Sequence, residues 1–225
     1  GPGVTAIEVG SRVVSPFTTS CGSCFFCGRG LTARCARGAL FGWVENGRGL
    51  HGAQAEYVRV PLADTTLAPV PQGLDPERAL LAGDVLATGF YCAEWAGVEL
   101  GAEVVYAVDG VAERLELARE FGATPVDLSA DPVAELREAT EGRGVDAVLE
   151  AVGSPEATRL AVDAVRAGGT IAAVGVHTEE HFAFSPVEAY DKNLTYRAGR
   201  CPVRPRLERM LELIASGRYD FGRIV

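Results

Sequence analysis

The stretch Gly101-Ala-Glu-Val-Val-Tyr-Ala-Val-Asp109-Gly-Val-Ala-Glu113 decides the fold. Val104–Val108 is apolar without interruption, as a strand covered on both faces of a parallel sheet requires. It ends at Asp109, and Ala112–Phe121 then spaces its apolar residues as an amphipathic helix that Gly122 stops. The alternation continues downstream. Thr124–Leu128 reads as a strand, Pro132–Thr140 as a helix, and Val145–Val152 as a buried strand ending at Gly153. A helix from Pro155 to about Arg166, stopped by Gly168-Gly169, leads to strands Thr170–Val176 and Leu194–Ala198 and a closing helix Leu207–Ser216. Strand and helix in turn define an α/β class with a doubly wound parallel sheet.

Upstream the pattern differs. Residues 1 to about 79 read as short strands broken by turns, at Ser11–Val14, Ala55–Val60 and the proline-punctuated Leu67–Pro71, which favours a small β-rich domain. Helical spacing takes over from Pro76, with Ala79, Leu80 and Val85 and then the Thr88-Gly89 step into Phe90–Trp95. Gly47-Arg-Gly49-Leu-His-Gly52 satisfies the G-x-G-x-x-G pattern, but it leads into an alternating stretch rather than a helix. It therefore lacks the helix N-terminus that holds a pyrophosphate, and it reads as a glycine-rich loop.

An excursion from the β-rich part carries Cys21-Gly-Ser-Cys24-Phe-Phe-Cys27, closed by Cys35. Four thiolates on a loop that Gly22, Ser23, Gly28 and Gly30 allow to curl suit a tetrahedral zinc with no open position, a structural site. Disulfides, an iron–sulfur cluster and unliganded buried thiols compete with it. Bacterial ferredoxins also run C-x-x-C-x-x-C, but their next cysteine comes after three residues and precedes Pro, whereas Cys35 comes after seven and precedes Ala36. Cys92 and Cys201, outside the cluster, read as plain buried thiols.

Composition excludes several classes. With a net charge of −9 and one lysine, Lys192, among scattered arginines, the chain lacks the clustered cations of a nucleic-acid surface. No apolar run reaches the roughly 18 residues of a membrane helix, and the N-terminus lacks the build of a signal peptide, so a reducing cytoplasm is the expected setting.

Asp109 is the most telling residue of the second half. A carboxylate ending the second strand of such a sheet accepts hydrogen bonds from the adenosine ribose hydroxyls and disfavours a 2′-phosphate, selecting NAD over NADP. A turn or helix-capping aspartate is the alternative. The ends of two further strands, Ala151–Gly153 and Val174–Val176, lie on the same side, where open α/β sheets bind ligands.

The four-cysteine loop followed by this sheet resembles the zinc-dependent medium-chain alcohol dehydrogenases over nearly the whole chain. The likeness rests on Gly1-Pro-Gly-Val-Thr with Val9-Gly-Ser-Arg-Val, the cysteine lobe, Ala55-Glu-Tyr-Val, Gly83-Asp-Val-Leu-Ala-Thr-Gly89, Tyr106-Ala-Val-Asp109, Gly168-Gly-Thr-Ile and Val174-Gly-Val176. It implies a partial GroES-like domain over 1–80, a Rossmann-type domain over 81–200, and the start of a return to the first domain over 201–225, with the active site in the cleft between domains. It also implies zinc and NAD as cofactors, an alcohol or its aldehyde or ketone as substrate, and a homo-oligomer. Asp84 falls where the family places a ligand of its catalytic zinc, and Thr88 where a side chain packs beside the nicotinamide. Arg114 falls where a basic residue reaches the adenosine ribose. Val152, Gly153, Val174 and Val176 fall at the strand ends lining the nicotinamide pocket.

Departures from the family accompany the matches. Family members supply a catalytic-zinc cysteine and a His-Glu pair before the first residue here, and His51, His177 and His181 do not stand in the matching motif. The path Gly97-Val-Glu-Leu-Gly101 passes almost directly to the second Rossmann strand, without the first strand, its Gly-rich turn and the following helix. Taking Val104–Val108 as that first strand would aim Asp109 at the pyrophosphate, the wrong charge for a helix N-terminus. In a sheet ordered 3-2-1-4-5-6 the loss separates the second and fourth strands. The chain ends at Ile224-Val225, where the family returns to its catalytic domain. Two expectations follow: segments of a longer enzyme lie outside this sequence, or the chain is a non-catalytic zinc-binding fragment or interaction module.

Overall fold

The computed structural model describes residues 1, 3–45 and 47–224; Pro2 of the first motif and Val225 of the terminal pair lie outside them. The chain divides into two compact units, Gly1–Thr88 with Arg200–Val225, and Gly89–Gly199.

The first unit holds β1 (Val13–Val14), β2 (Trp43–Glu45), β3 (Arg48–Leu50), α1 (Ala63–Thr66), β4 (Ala68–Pro69), α2 (Pro76–Leu80) and the start of α3 (Val85–Ala96). β1 pairs antiparallel with β4, and β2 with β3, the latter in register Trp43↔Leu50. The expected loop Gly47–Gly52 instead contains a hairpin strand, Arg48–Leu50, and it does not open a helix that could hold a phosphate. Ala55–Val60 does not form the expected strand: residues 55–59 are exposed, and the stretch has no ladder partner among the described residues. Alternation of side chains marks a strand only where a neighbouring backbone pairs with it.

The second unit, after the rest of α3, runs β5 (Tyr106–Asp109), α4 (Ala112–Glu120), β6 (Thr124–Asp127), α5 (Pro132–Ala139), β7 (Val145–Glu150), α6 (Pro155–Ala164), β8 (Val165–Ala173), α7 (Pro186–Asp191) and β9 (Thr195–Ala198). β5 and β6 form one parallel pair, and β7, β8 and β9 form a separate parallel sheet in that order. The break falls between β5 and β7, where a sheet ordered 3-2-1-4-5-6 keeps its first strand. Its consequence shows in burial. Parallel strands are normally covered on both faces, yet every residue of β5 is only half-buried, and Val104, Val105 and Leu149 are exposed. Ile171, Ala172 and Ala173 of β8, with a strand on each side, are buried.

α5, α6 and α7 start where a short polar residue precedes proline. Asp131 accepts from the N–H of Ala134, and Ser154 from that of Ala157, with Pro132 and Pro155 at the first helical position. Ser185 and Glu188 form a capping box that opens α7, an element the sequence reading left out. α6 ends at Ala164 rather than near Arg166, and β8 starts at once, passing through Gly168-Gly169 instead of being preceded by them. A Cβ at Gly169 would lie 2.5 Å from Val165 Cγ2 and 2.9 Å from Asp146 O, so the glycine marks close packing within an irregular strand rather than a helix stop. The strand readings Val104–Val108 and Thr170–Val176 likewise shift, to Tyr106–Asp109 and to an end at Ala173.

Two clusters form the core of this unit. Ala161, Val162, Val165 and Ile171 pack with Phe184 and Tyr196. Val126, Leu136 and Ala164 pack with Tyr106, Val108 and Val145, which ties the β5–β6 pair to β7 by side chains where backbone bonds are lacking. In the first unit α8 (Leu207–Ala215) buries Leu207, Met210, Leu211 and Ile214, one helical face at i, i+3, i+4 and i+7, toward α2 and the Leu81–Gly83 turn.

Candidate metal centre and cofactor site

The metal lobe is rooted by threonines. Thr66 Oγ1 accepts from the Ser20 N–H at 3.0 Å and Thr65 Oγ1 donates to Ser20 O at 2.5 Å, fixing the residue before Cys21. Gly22, at φ 70°, takes the left-handed conformation that turns the chain back, and a 3₁₀ turn over Cys27–Arg29 follows. The sulfurs of Cys21, Cys24, Cys27 and Cys35 all lie within 4.8 Å of one another. Zinc–sulfur bonds of about 2.3 Å put tetrahedral sulfurs about 3.8 Å apart, close to this spacing. The lobe's cysteines form no disulfide, and the Cys24 and Cys35 sulfurs stand 4.0 Å apart, far from disulfide bonding.

The charges in the lobe call for a cation. The Ser23 amide and then the Arg37 guanidinium pull the Cys21 thiol down to about 5, and the Cys27 and Ala36 amides lower that of Cys24. Burial, with the neighbouring Cys24 and Cys35 side chains, pushes Cys27 up to about 12. Four sulfurs so close do not all ionise by themselves; a divalent metal reverses that penalty and deprotonates a coordinating thiol outright. The donor set fits a structural zinc. Arg37 Nη2 donates to Ser23 Oγ at 2.9 Å beside Cys21, an outer support for the thiolates.

Asp84 follows the Leu81–Gly83 turn and opens α3, its carbonyl accepting from the Thr88 N–H at 2.8 Å. Thr88 Oγ1 donates to Asp84 Oδ1 at 3.0 Å, so these two predicted residues meet. Asp84 as a residue is exposed, yet desolvation of its carboxyl raises its pKa, partly offset by the Thr88 hydrogen bond. A catalytic zinc takes three protein ligands. Among the described residues the only group of three or more potential ligands is the cysteine lobe, so Asp84 does not complete a catalytic zinc site with them.

Asp109 ends β5 and Arg114 lies on α4, again brought together. Asp109 Oδ1 accepts from the Val111 N–H at 2.9 Å, and Arg114 Nη1 stands 3.5 Å from Oδ2. The turn role is thus present, with Oδ2 held only by a long contact to a largely exposed guanidinium.

At the ends of β7 and β8, Val152 and Val176 are 74% and 78% exposed, apolar side chains at the strand ends that open α/β sheets in general use for ligands. Gly153, at φ 83°, meets the backbone at Val176, where a Cβ would come within 2.5 Å of the amide nitrogen. The Val174 N–H donates to Glu150 O at 2.9 Å. Sequence reading missed Glu150 and the partner role of His177: the Glu150 carboxylate is buried and its Oε2 pairs with His177 Nε2 at 3.0 Å. The available signal was an acidic residue closing an apolar strand three positions before a glycine. Cys92 donates to Ala172 O and Cys201 to Ala87 O, both buried, as plain packed thiols.

With a β-rich unit bearing a four-thiol lobe and a parallel α/β unit, the chain belongs to the zinc-dependent medium-chain alcohol dehydrogenase family. The alcohol dehydrogenase GroES-like domain model matches residues 1–72, and the zinc-binding dehydrogenase model matches 87–216. Zinc-type alcohol dehydrogenase B of Aspergillus flavus is 37% identical over 99% of this chain and 58% of its own length. A medium chain reductase/dehydrogenase of Acremonium sp. is 39% identical over 85% of this chain and 75% of its own. The alcohol dehydrogenase of Thermus sp. ATN1 superposes with a TM-score of 0.90 at 36% identity, covering 100% of this chain and 72% of that one. The chain thus spans little more than half of the Aspergillus relative. Their match extends over 254 positions against the 225 residues here, so the relative carries residues between matched segments that this chain lacks. Among the described residues no helix is long and apolar enough to cross a membrane.

Proposed function

We propose that the protein moves hydride between an alcohol and NAD(H), giving an aldehyde or ketone reversibly. What supports this reading is Asp109 at the C-terminal end of β5 in a parallel pair: one carboxylate oxygen accepts from the turn, and the other, held only by the long contact to Arg114, would accept from ribose hydroxyls. Arg114 beside it supports the adenosine ribose, and Val152, Gly153, Val174 and Val176 supply the apolar wall for the nicotinamide. The dinucleotide carries the hydride; the protein binds and orients it. Cys21, Cys24, Cys27 and Cys35 hold a structural zinc. Asp84 is offered as one ligand of a catalytic zinc, with Thr88 orienting its carboxylate and packing beside the nicotinamide.

Cofactor choice tests the reading. NADH should bind more tightly than NADPH by fluorescence titration, and Asp109→Ser should narrow that preference by about tenfold, the scale of one lost hydrogen bond to a charged group. Equal affinities in the parent protein would contradict the assignment. Asp84→Ala should leave the four-thiolate zinc in place and lower turnover; unchanged turnover would remove Asp84 from the site.

A second reading, a non-catalytic zinc-binding module, draws support from the break between β5 and β7 and from Asp84 standing without a second ligand among the described residues. One zinc per chain with no NADH binding would favour it.

A further inference from the structure

We infer that Glu150 is a positioning residue for the nicotinamide side of the cofactor site, holding the ends of β7 and β8 in one fixed arrangement; this rests on the cofactor reading above. Glu150 is the one buried carboxylate among the described residues. A carboxylate out of water is costly unless its oxygens are bonded, and here each has partners. Oε1 accepts from the N–H groups of Val152 and Gly153, both at 2.7 Å, and Oε2 pairs with His177 Nε2 at 3.0 Å. The backbone of the same residue serves the neighbouring strand end, its carbonyl accepting from Val174 and Gly175 at 2.9 and 3.3 Å.

One residue therefore ties together 152–153, 174–175 and 177, the segments that carry the exposed Val152 and Val176. The two turns leave no room for adjustment. A Cβ at Gly175 would lie 2.2 Å from the Gly153 nitrogen, so backbone meets backbone. A loop without a ladder of its own is held by a buried charge-assisted network instead, which is stiff when every member is satisfied. Val152 and Val176 are thereby presented at fixed positions before any ligand arrives, lowering the ordering cost of binding. His177 contributes by occupying Oε2.

Two variants separate positioning from mere bracing. Glu150→Gln keeps an oxygen for the two amides, whereas Glu150→Ala leaves both without an acceptor. Amide exchange at Val152 and Gly153 should quicken at least about tenfold in Glu150→Ala while Leu149 and Ala172 stay protected, and the NADH dissociation constant should rise about 10- to 100-fold, the range seen when supporting partners of a site are lost. Glu150→Gln should restore most of both. If Glu150→Ala does not fold, His177→Phe carries the test, since it removes only the bond to Oε2; faster exchange at Gly153 with weaker NADH binding is then expected. Unchanged exchange at 152–153 overturns the inference. Faster exchange with unchanged NADH affinity overturns the positioning role alone and leaves the cofactor reading standing. A parent protein that binds no NADH at all overturns both.

Discussion

The cysteine lobe and the parallel sheet are built on opposite plans. The lobe draws its four sulfurs from Cys21 to Cys35 and needs only its threonine root at Thr65 and Thr66 to be placed. The sheet draws on strands scattered from Tyr106 to Ala198 and is divided between β5 and β7. A site made from neighbours in sequence survives the loss of distant segments; a sheet that lacks a central strand loses burial on both sides of the gap. The half-buried β5 and the fully buried centre of β8 show that difference within one unit.

Removing metal should separate the two plans most sharply. Structural zinc contributes on the order of 10–16 kcal/mol of apparent binding energy in finger-type peptides. Chelation should therefore expose Cys21–Arg37 to rapid proteolysis, with cleavage sites mapped by mass spectrometry, while the segment Gly89–Gly199 keeps its resistance. Equal loss of resistance in both would show that the sheet leans on the lobe.

Paired truncations in the sheet come next. Ile171, fully buried in β8, should cost about 2–5 kcal/mol when changed to Ala. Val104, 52% exposed beside the gap, should cost no more than about 0.5 kcal/mol in the same thermal melts. Equal costs would mean that the β5 side is as well packed as the β8 side.

The smallest effect concerns the N-terminal residues. Asp64 accepts from the N–H groups of Thr5 and Ala6 at 2.9–3.1 Å, and these bonds, Thr5 first, hold its carboxyl below the usual range. A depressed carboxylate stabilises the fold above its unfolded pKa, and that support is lost as pH falls through the folded value. Exchange at Thr5 and Ala6 should thus accelerate below about pH 4, the ordinary aspartate range, and Asp64→Asn should weaken that dependence.

Much of this arrangement was legible in the sequence, for identifiable reasons. Apolar runs such as Val145–Glu150 announce strands because a parallel sheet covers both faces, and closely spaced cysteines announce a metal lobe because coordination is local. The break between β5 and β7 followed from the short path Gly97–Gly101 and the order of strands. What escaped depends on partners that sequence does not display. Ala55–Val60 alternates like a strand and lacks a neighbour, while Gly168-Gly169 looks like a helix stop and lies inside β8. Glu150 is one of 30 acidic residues until the fold turns its carboxylate toward Val152, Gly153 and His177.

Native mass spectrometry of the purified protein, titrated with zinc and then NADH, tests the central claim most directly. The account predicts one zinc retained through the four cysteines and lost in Cys24→Ser with Cys35→Ser, together with one NADH per chain that Asp109→Ser weakens. An iron–sulfur cluster or no metal on the cysteines, or NADH binding indifferent to Asp109, would contradict it.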